Sequence, residues 1–177
     1  LTIANCAIRD NIADFSGGGI ACEFSTLAVS ASTIVANRAQ TFHGGGIHSF
    51  SSSLSILDCI IVRNSATRSG GGVYGDDSAV TINDCVIAAN AAGICGGAVY
   101  CAASNPTITG CDLVQNSAAS DGGAVYCDAS SVTIASCAIM ANVGLAVSGH
   151  NVVTRDYIEY YCCGDFRSCK AYEAFMK

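Results

Sequence analysis

Residues 1–11 read LTIANCAIRDN, and the phrase recurs as LAVSASTIVAN (27–37), LSILDCIIVRN (54–64), VTINDCVIAAN (80–90), PTITGCDLVQN (106–116) and VTIASCAIMAN (132–142). The starts lie 26, 27, 26, 26 and 26 residues apart, a near-constant period of the kind that marks a solenoid. The third position is always Ile or Val, from Ile3 and Val29 to Ile134, and the eighth is Ile or Leu throughout. The eleventh never varies: Asn11, Asn37, Asn64, Asn90, Asn116, Asn142. Two residues later comes Ala13, Ala39, Ala66, Ala92, Ala118 or Gly144.

A second phrase follows in each complete repeat: GGGI at 17–20 and 44–47, GGGV at 70–73, GGAV at 96–99 and 122–125. Apolar residues alternate with spacing two inside each half, which is strand logic. The parity breaks between the third and sixth positions, so a bend separates two short strands there. The glycine phrase supplies a turn and starts a third. Glycine triplets among β-branched residues argue against helix. Three short strands per turn of about 26 residues describe a parallel β-helix, with about six coils stacked ~4.8 Å apart. A leucine-rich repeat shares the core L-x-L-x-x-N/C-x-L, but it wants a further Leu three residues upstream. Phe24, Ser51, Asp77, Ala103 and Ala129 stand there instead.

The paired phrases resemble the polymorphic outer membrane protein repeat of chlamydial surface proteins, with its G-G-A-[ILV] and F-x-x-N signatures, and related right-handed β-helix repeats of secreted bacterial proteins. Ile-x-x-Asn or Leu-x-x-Asn replaces the Phe signature throughout (IRDN, IVAN, IVRN, IAAN, LVQN, IMAN). The resemblance covers residues 1–144 and implies a right-handed parallel β-helix with a surface or adhesive role. It does not imply an autotransporter, because no barrel-forming segment follows.

Composition bounds the function. Charged residues are 12% and the net charge is −6, the opposite of the basic footprint that nucleic acid demands. No run approaches the ~18–20 apolar residues of a membrane span. Twelve cysteines favour an oxidising, extracellular or cell-surface location. No signal peptide and no initiator Met are visible, and Leu1 falls in phase with the repeat. That reads as a processed chain or part of a longer one, with an open first edge for a neighbouring subunit to cover. Residues 145–177 carry four of the eight basic side chains and break the repeat. They read as a C-terminal cap or docking segment, with a short helix from Asp165 placing Phe166, Cys169, Tyr172 and Met176 on one face.

Four sets of residues could carry function. An interior asparagine row would hydrogen-bond from coil to coil as a structural ladder. The cysteines fall into two columns, Cys6, Ser32, Cys59, Cys85, Cys111, Cys137 and Cys22, Ser49, Gly75, Cys101, Cys127. Their matching within coils suggests that they face each other, with Cys6–Cys22, Cys85–Cys101 and Cys111–Cys127 as candidate disulfides; reduced thiols filling the core are the alternative. An outward column of Ala21, His48, Tyr74, Tyr100 and Tyr126 forms either an exposed binding stripe for sugar rings or another chain, or a self-satisfied ladder. A Thr-rich outward column from Thr2 to Thr133 reads as solvated β-surface.

No catalytic set is expected. Asp58 and Asp84 share one column, and Glu23, Asp76 and Asp128 another, but turn-facing solubilising acids account for both. Neither a metal nor a cofactor is expected: Cys162, Cys163 and Cys169 lack a visible fourth ligand, and the three histidines are scattered. The sequence therefore points to a non-enzymatic extracellular structural or adhesive module, self-associating head to tail or laterally. The alternative is a carbohydrate-binding or carbohydrate-active β-helix, with glycans as partner.

Overall fold

The computed structural model describes residues 1–144 in full, and beyond them the backbone of Val147–Gly149, Val153–Arg155 and Tyr160–Cys162. The helix expected from Asp165 lies outside the described residues.

The first coil sets the pattern: β1 (Thr2–Ala4), β2 (Ala7–Arg9), β3 (Ile12–Ala13) and β4 (Ile20–Glu23). Each strand founds one parallel sheet. The sheets begun by β1 and β2 have seven strands each, that of β3 five and that of β4 six. Equivalent residues of successive coils are direct partners: Ile3 with Val29, Ile8 with Ile34, Ala13 with Ala39, Cys22 with Ser49. Seven strands at ~4.8 Å make a rod about 29 Å long. The three strands beyond residue 144 continue three of the sheets, pairing with Val125–Cys127, Thr133–Ala135 and Ile139–Asn142. The chain is an all-β parallel solenoid. No helix among the described residues is long and apolar enough to cross a membrane.

The period of two explains which side chains fill the rod. Among the described residues twelve Ile and Leu side chains are fully buried, including Leu27, Ile34, Ile56, Ile82, Leu113 and Ile139. Each contributes about 1.5–3 kcal/mol. The ion pair between the exposed Arg9 and Asp10 spans 3.7 Å and adds little beside them.

Four strands per complete coil replace the three expected from sequence. The extra one is the two-residue strand after each asparagine, too short to show alternation. Its inward residue is Ala39, Ala66, Ala92 or Ala118, each almost wholly buried. Directly over it runs the second glycine of the glycine phrase: a Cβ on Gly45 would meet the Ser65 backbone, and one on Gly71 would meet the carbonyl oxygen of Ala91 at 2.5 Å. Small residues and glycine therefore share one tight corner, where two backbones nearly touch.

Each complete coil turns at left-handed residues, and most are not glycine. Asn5, Asp10 and Phe24 have φ of 54°, 59° and 50° in the first coil, and Asp84, Ala89 and Ala103 have 51°, 54° and 46° in the fourth. The first glycine of each phrase makes a further such turn, as Gly96 does with φ 69°. The left-handed region costs an L-residue about 1–2 kcal/mol. Replacing the exposed Ala103 with glycine is thus expected to stabilise the rod by up to about 1 kcal/mol, once glycine's own ~0.5–1 kcal/mol entropy cost is set against the relief. A rise in Tm checks this; a fall would show that the corner is not strained.

Candidate functional site

The three corners outside the glycine phrase share one device. The residue just after each left-handed turn uses its side chain to accept a hydrogen bond from the backbone N–H of its counterpart one coil earlier.

At the second corner this residue is the asparagine. Asn90 is wholly buried, and its Oδ1 accepts from the Asn64 backbone N–H at 2.9 Å and from Asn64 Nδ2 at 3.0 Å. Its own Nδ2 donates to Asn116 Oδ1 at 3.0 Å and to the Ile61 carbonyl at 2.9 Å. Asn37, Asn64 and Asn116 repeat the pattern, and Asn142 accepts from Asn116 and donates to the Leu113 carbonyl. Asn11 is exposed and donates only, to Asn37.

At the first corner the residue is cysteine or its stand-in. The N–H groups of Cys59, Cys85 and Cys111 each donate to the next thiol at 3.4 Å, and Cys6 N–H donates to Ser32 Oγ at 3.1 Å. Each side chain donates in turn to the carbonyl two residues back, Cys85 Sγ to Asn83 at 3.0 Å and Ser32 Oγ to Ser30 at 2.7 Å. These thiols face along the rod, which corrects the expectation that they face across the coil. The expected disulfides Cys6–Cys22, Cys85–Cys101 and Cys111–Cys127 are not formed, and all six residues are free thiols. Hydrogen bonds with Cys111 and Cys59, together with burial, hold the proton on Cys85 and push its thiol up. Cys101 and Cys127 occupy the core side of another sheet, where burial pushes the Cys127 thiol up to about 12.

At the third corner the residue is serine, a column that sequence reasoning missed. Ser25, Ser52, Ser78 and Ser104 donate their N–H to the Oγ of Ser52, Ser78, Ser104 and Ser130 at 3.0, 3.2, 3.0 and 2.8 Å. The signal was an unbroken serine in every complete repeat, three residues after the second cysteine column.

The tyrosine column stacks upon itself. His48, Tyr74, Tyr100 and Tyr126 lie ring on ring with centroids 5.2, 5.0 and 5.3 Å apart and planes within 10° of parallel. His43 closes on Tyr74 at 4.3 Å and links the stack to Phe42 and Phe15. His48 and Tyr74 are buried, while Tyr100 and Tyr126 are half-buried. The expected exposed stripe is thus exposed at its edges alone, and Tyr74 and Tyr100 have ring faces covered by their neighbours. Burial, with the Asp76 carboxylate second, pushes the Tyr74 hydroxyl up to about 12.

Two histidines make this cluster sensitive to acid. Burial, then the neighbouring His48 and Arg68, lower His43 to about 4, and the Ser69 N–H, which donates to His43 Nδ1 at 3.3 Å, also favours the neutral ring. Burial also lowers His48, opposed by Glu23 and Asp76. A histidine depressed in the folded state adds stability that is full above the unfolded value of 6.5. That stability is lost as pH falls from there to about 4. Because His43 is half-buried, the loss is taken as about 1–2 kcal/mol after solvent screening. The expected result is a Tm that drops over this window and a smaller drop in His43→Ser; equal drops would remove His43 from the account.

Among the described residues the two acidic columns do not gather into a cluster. Asp58 and Asp84 sit on exposed left-handed corners, and Phe50 and Ala102 separate Glu23, Asp76 and Asp128 along their column. Among the described residues no three His, Cys, Asp or Glu side chains converge as a metal site requires.

The family model for the right handed beta helix region matches residues 1–113. The chain belongs to this family. Its solenoid is accordingly a right-handed β-helix. A model of the Chlamydia polymorphic membrane protein repeat matches residues 111–128, which span the cysteine-ladder residue Cys111, the ladder asparagine Asn116 and the stacked Tyr126. No curated protein and no solved structure matches the chain. The ladders and the stack are what this β-helix displays as chemistry: they bind one coil to the next.

Proposed function

We propose that this right-handed β-helix is a non-enzymatic, extracellular adhesive or structural module of a cell surface, and that its rods associate end to end or side by side. The observation that carries this reading is the direction of its polar chemistry. Asn, Ser and Cys side chains spend their hydrogen bonds along the axis, and the tyrosine column spends its ring faces the same way. What remains outward is a set of flat sheet faces. On the sheet begun by β2 these include Ile60 and Val86, with Leu57 on the adjoining sheet, each about two-fifths exposed. Regular, flat, partly apolar faces suit contact with another surface better than they suit turnover of a small substrate. The match of one segment to a polymorphic membrane protein repeat supports a surface location.

The carbohydrate alternative has less support. Sugars are held on free aromatic faces, and the stack has consumed those of Tyr74 and Tyr100.

Negative-stain microscopy of the purified protein over a concentration series tests the reading. Linear or sheet-like assemblies that grow with concentration are expected. Single rods at every concentration would overturn the self-association. Saturable glycan binding that is lost in Tyr126→Ala would favour the carbohydrate reading instead.

A further inference from the structure

The cysteines of the first corner form an uninterrupted run. Cys59, Cys85, Cys111 and Cys137 follow one another 26 residues apart, and the thiols of Cys85, Cys111 and Cys137 each accept from the N–H of the cysteine one coil earlier. Ser32 closes the run on one side. On the sheet begun by β4, Cys101 and Cys127 are direct strand partners, flanked by Gly75 and Gly149. The runs hold four and two residues, both even.

Neighbouring coils stand about 4.8 Å apart, inside the roughly 4.4–6.8 Å of Cα separation that a disulfide spans. Backbone hydrogen bonds already bring each cysteine against the thiol one coil on: Cys59 N–H to Cys85 Sγ, Cys85 N–H to Cys111 Sγ and Cys111 N–H to Cys137 Sγ, each at 3.4 Å. Across the coil, by contrast, each first-corner thiol is tied to carbonyls, Cys111 Sγ to Thr109 at 3.2 Å and Ile82 at 3.6 Å, rather than to the cysteine of its own Gly-phrase strand.

We propose that these columns are sites of oxidation along the axis: small disulfides such as glutathione disulfide convert Cys59–Cys85, Cys111–Cys137 and Cys101–Cys127 into bonds that staple successive coils. In each event one cysteine thiolate displaces glutathione from its disulfide, and the neighbouring cysteine then displaces the second glutathione. Two cysteine S–H bonds and one S–S bond are lost; one protein S–S bond and two glutathione S–H bonds form. The two electrons pass to glutathione. The reaction waits on local opening, because five of the six thiols are at most 1% exposed and Cys137 only 4%. It is independent of where the protein resides and of what the rod binds.

The test uses the full chain, incubated folded with glutathione disulfide, alkylated, digested without reductant and mapped by tandem mass spectrometry. Cross-links between residues one coil apart are expected at Cys59–Cys85, Cys111–Cys137 and Cys101–Cys127. A Cys101→Ser/Cys127→Ser double variant should keep both links of the first-corner column, and serine is already accommodated in both columns at Ser32 and Ser49. Links Cys85–Cys101 or Cys111–Cys127 would overturn the axial pairing. Complete alkylation of all six after denaturation would overturn oxidation altogether.

Discussion

Asn90→Ala is expected to cost the rod about 3–5 kcal/mol. The asparagine is wholly buried, and its removal leaves the Asn64 N–H and the Asn64 side-chain amide without their acceptor. Each buried donor left unpaired costs about 1–3 kcal/mol, and the emptied space adds to that. The Ile61 carbonyl and Asn116 Oδ1 lose a donor as well, although Asn116 Oδ1 keeps the Asn90 backbone N–H. Asn11→Ala should cost less than about 1 kcal/mol, because Asn11 is exposed and only donates. Urea unfolding of both variants measures the contrast. If Asn90→Ala were as mild as Asn11→Ala, the row would be a by-product of the corner rather than a support for it.

Gly97→Ala should be comparably severe, at about 3 kcal/mol or more, whereas Gly72→Ala should stay within about 1 kcal/mol. A Cβ at Gly97 would overlap the Gly123 carbonyl oxygen and lie 2.5 Å from that of Ser117. Both obstacles are backbone, so relief requires the coils to part. Gly72 belongs to the third column of the glycine phrase, where Ala98 and Ala124 are already fully buried. Its Cβ would press on the Ala98 carbonyl at 2.6 Å, a crowding that the column absorbs where alanine is native. Thermal unfolding of the two alanine variants should therefore separate them widely. Similar losses would mean that the short strand beneath Gly97 can move aside.

The fold was legible because its columns are. Ile3 to Ile134 and Asn11 to Asn142 recur at one period, and a period is what a solenoid writes into sequence. Azimuth around the axis is not written there. Cys85 and Cys101 could be matched as companions within a coil, but whether a thiol points across the coil or along it depends on the left-handed turn at Asp84, which spacing does not reveal. The period of two places the tyrosine column outward, yet the closeness of its rings follows from the flatness of the sheet rather than from the letters. The serine ladder was overlooked because Ser25 to Ser130 look like ordinary turn residues, although the sixth position had already shown Ser32 and cysteine as equivalents. The two-residue strand after each asparagine was too short for any period to declare itself.

All the ladder amides point one way. Asn37 turns its oxygen toward Asn11 and its nitrogen toward Asn64, and every asparagine between repeats that orientation. A stack of this kind is an arrow: one face of any coil offers acceptors, the opposite face donors. Two coils can adjoin only when their arrows agree, so a reversed coil would set oxygen against oxygen or N–H against N–H. The same rule that orders coils within this chain would govern any rod that continued it, and it permits only a single sense of travel.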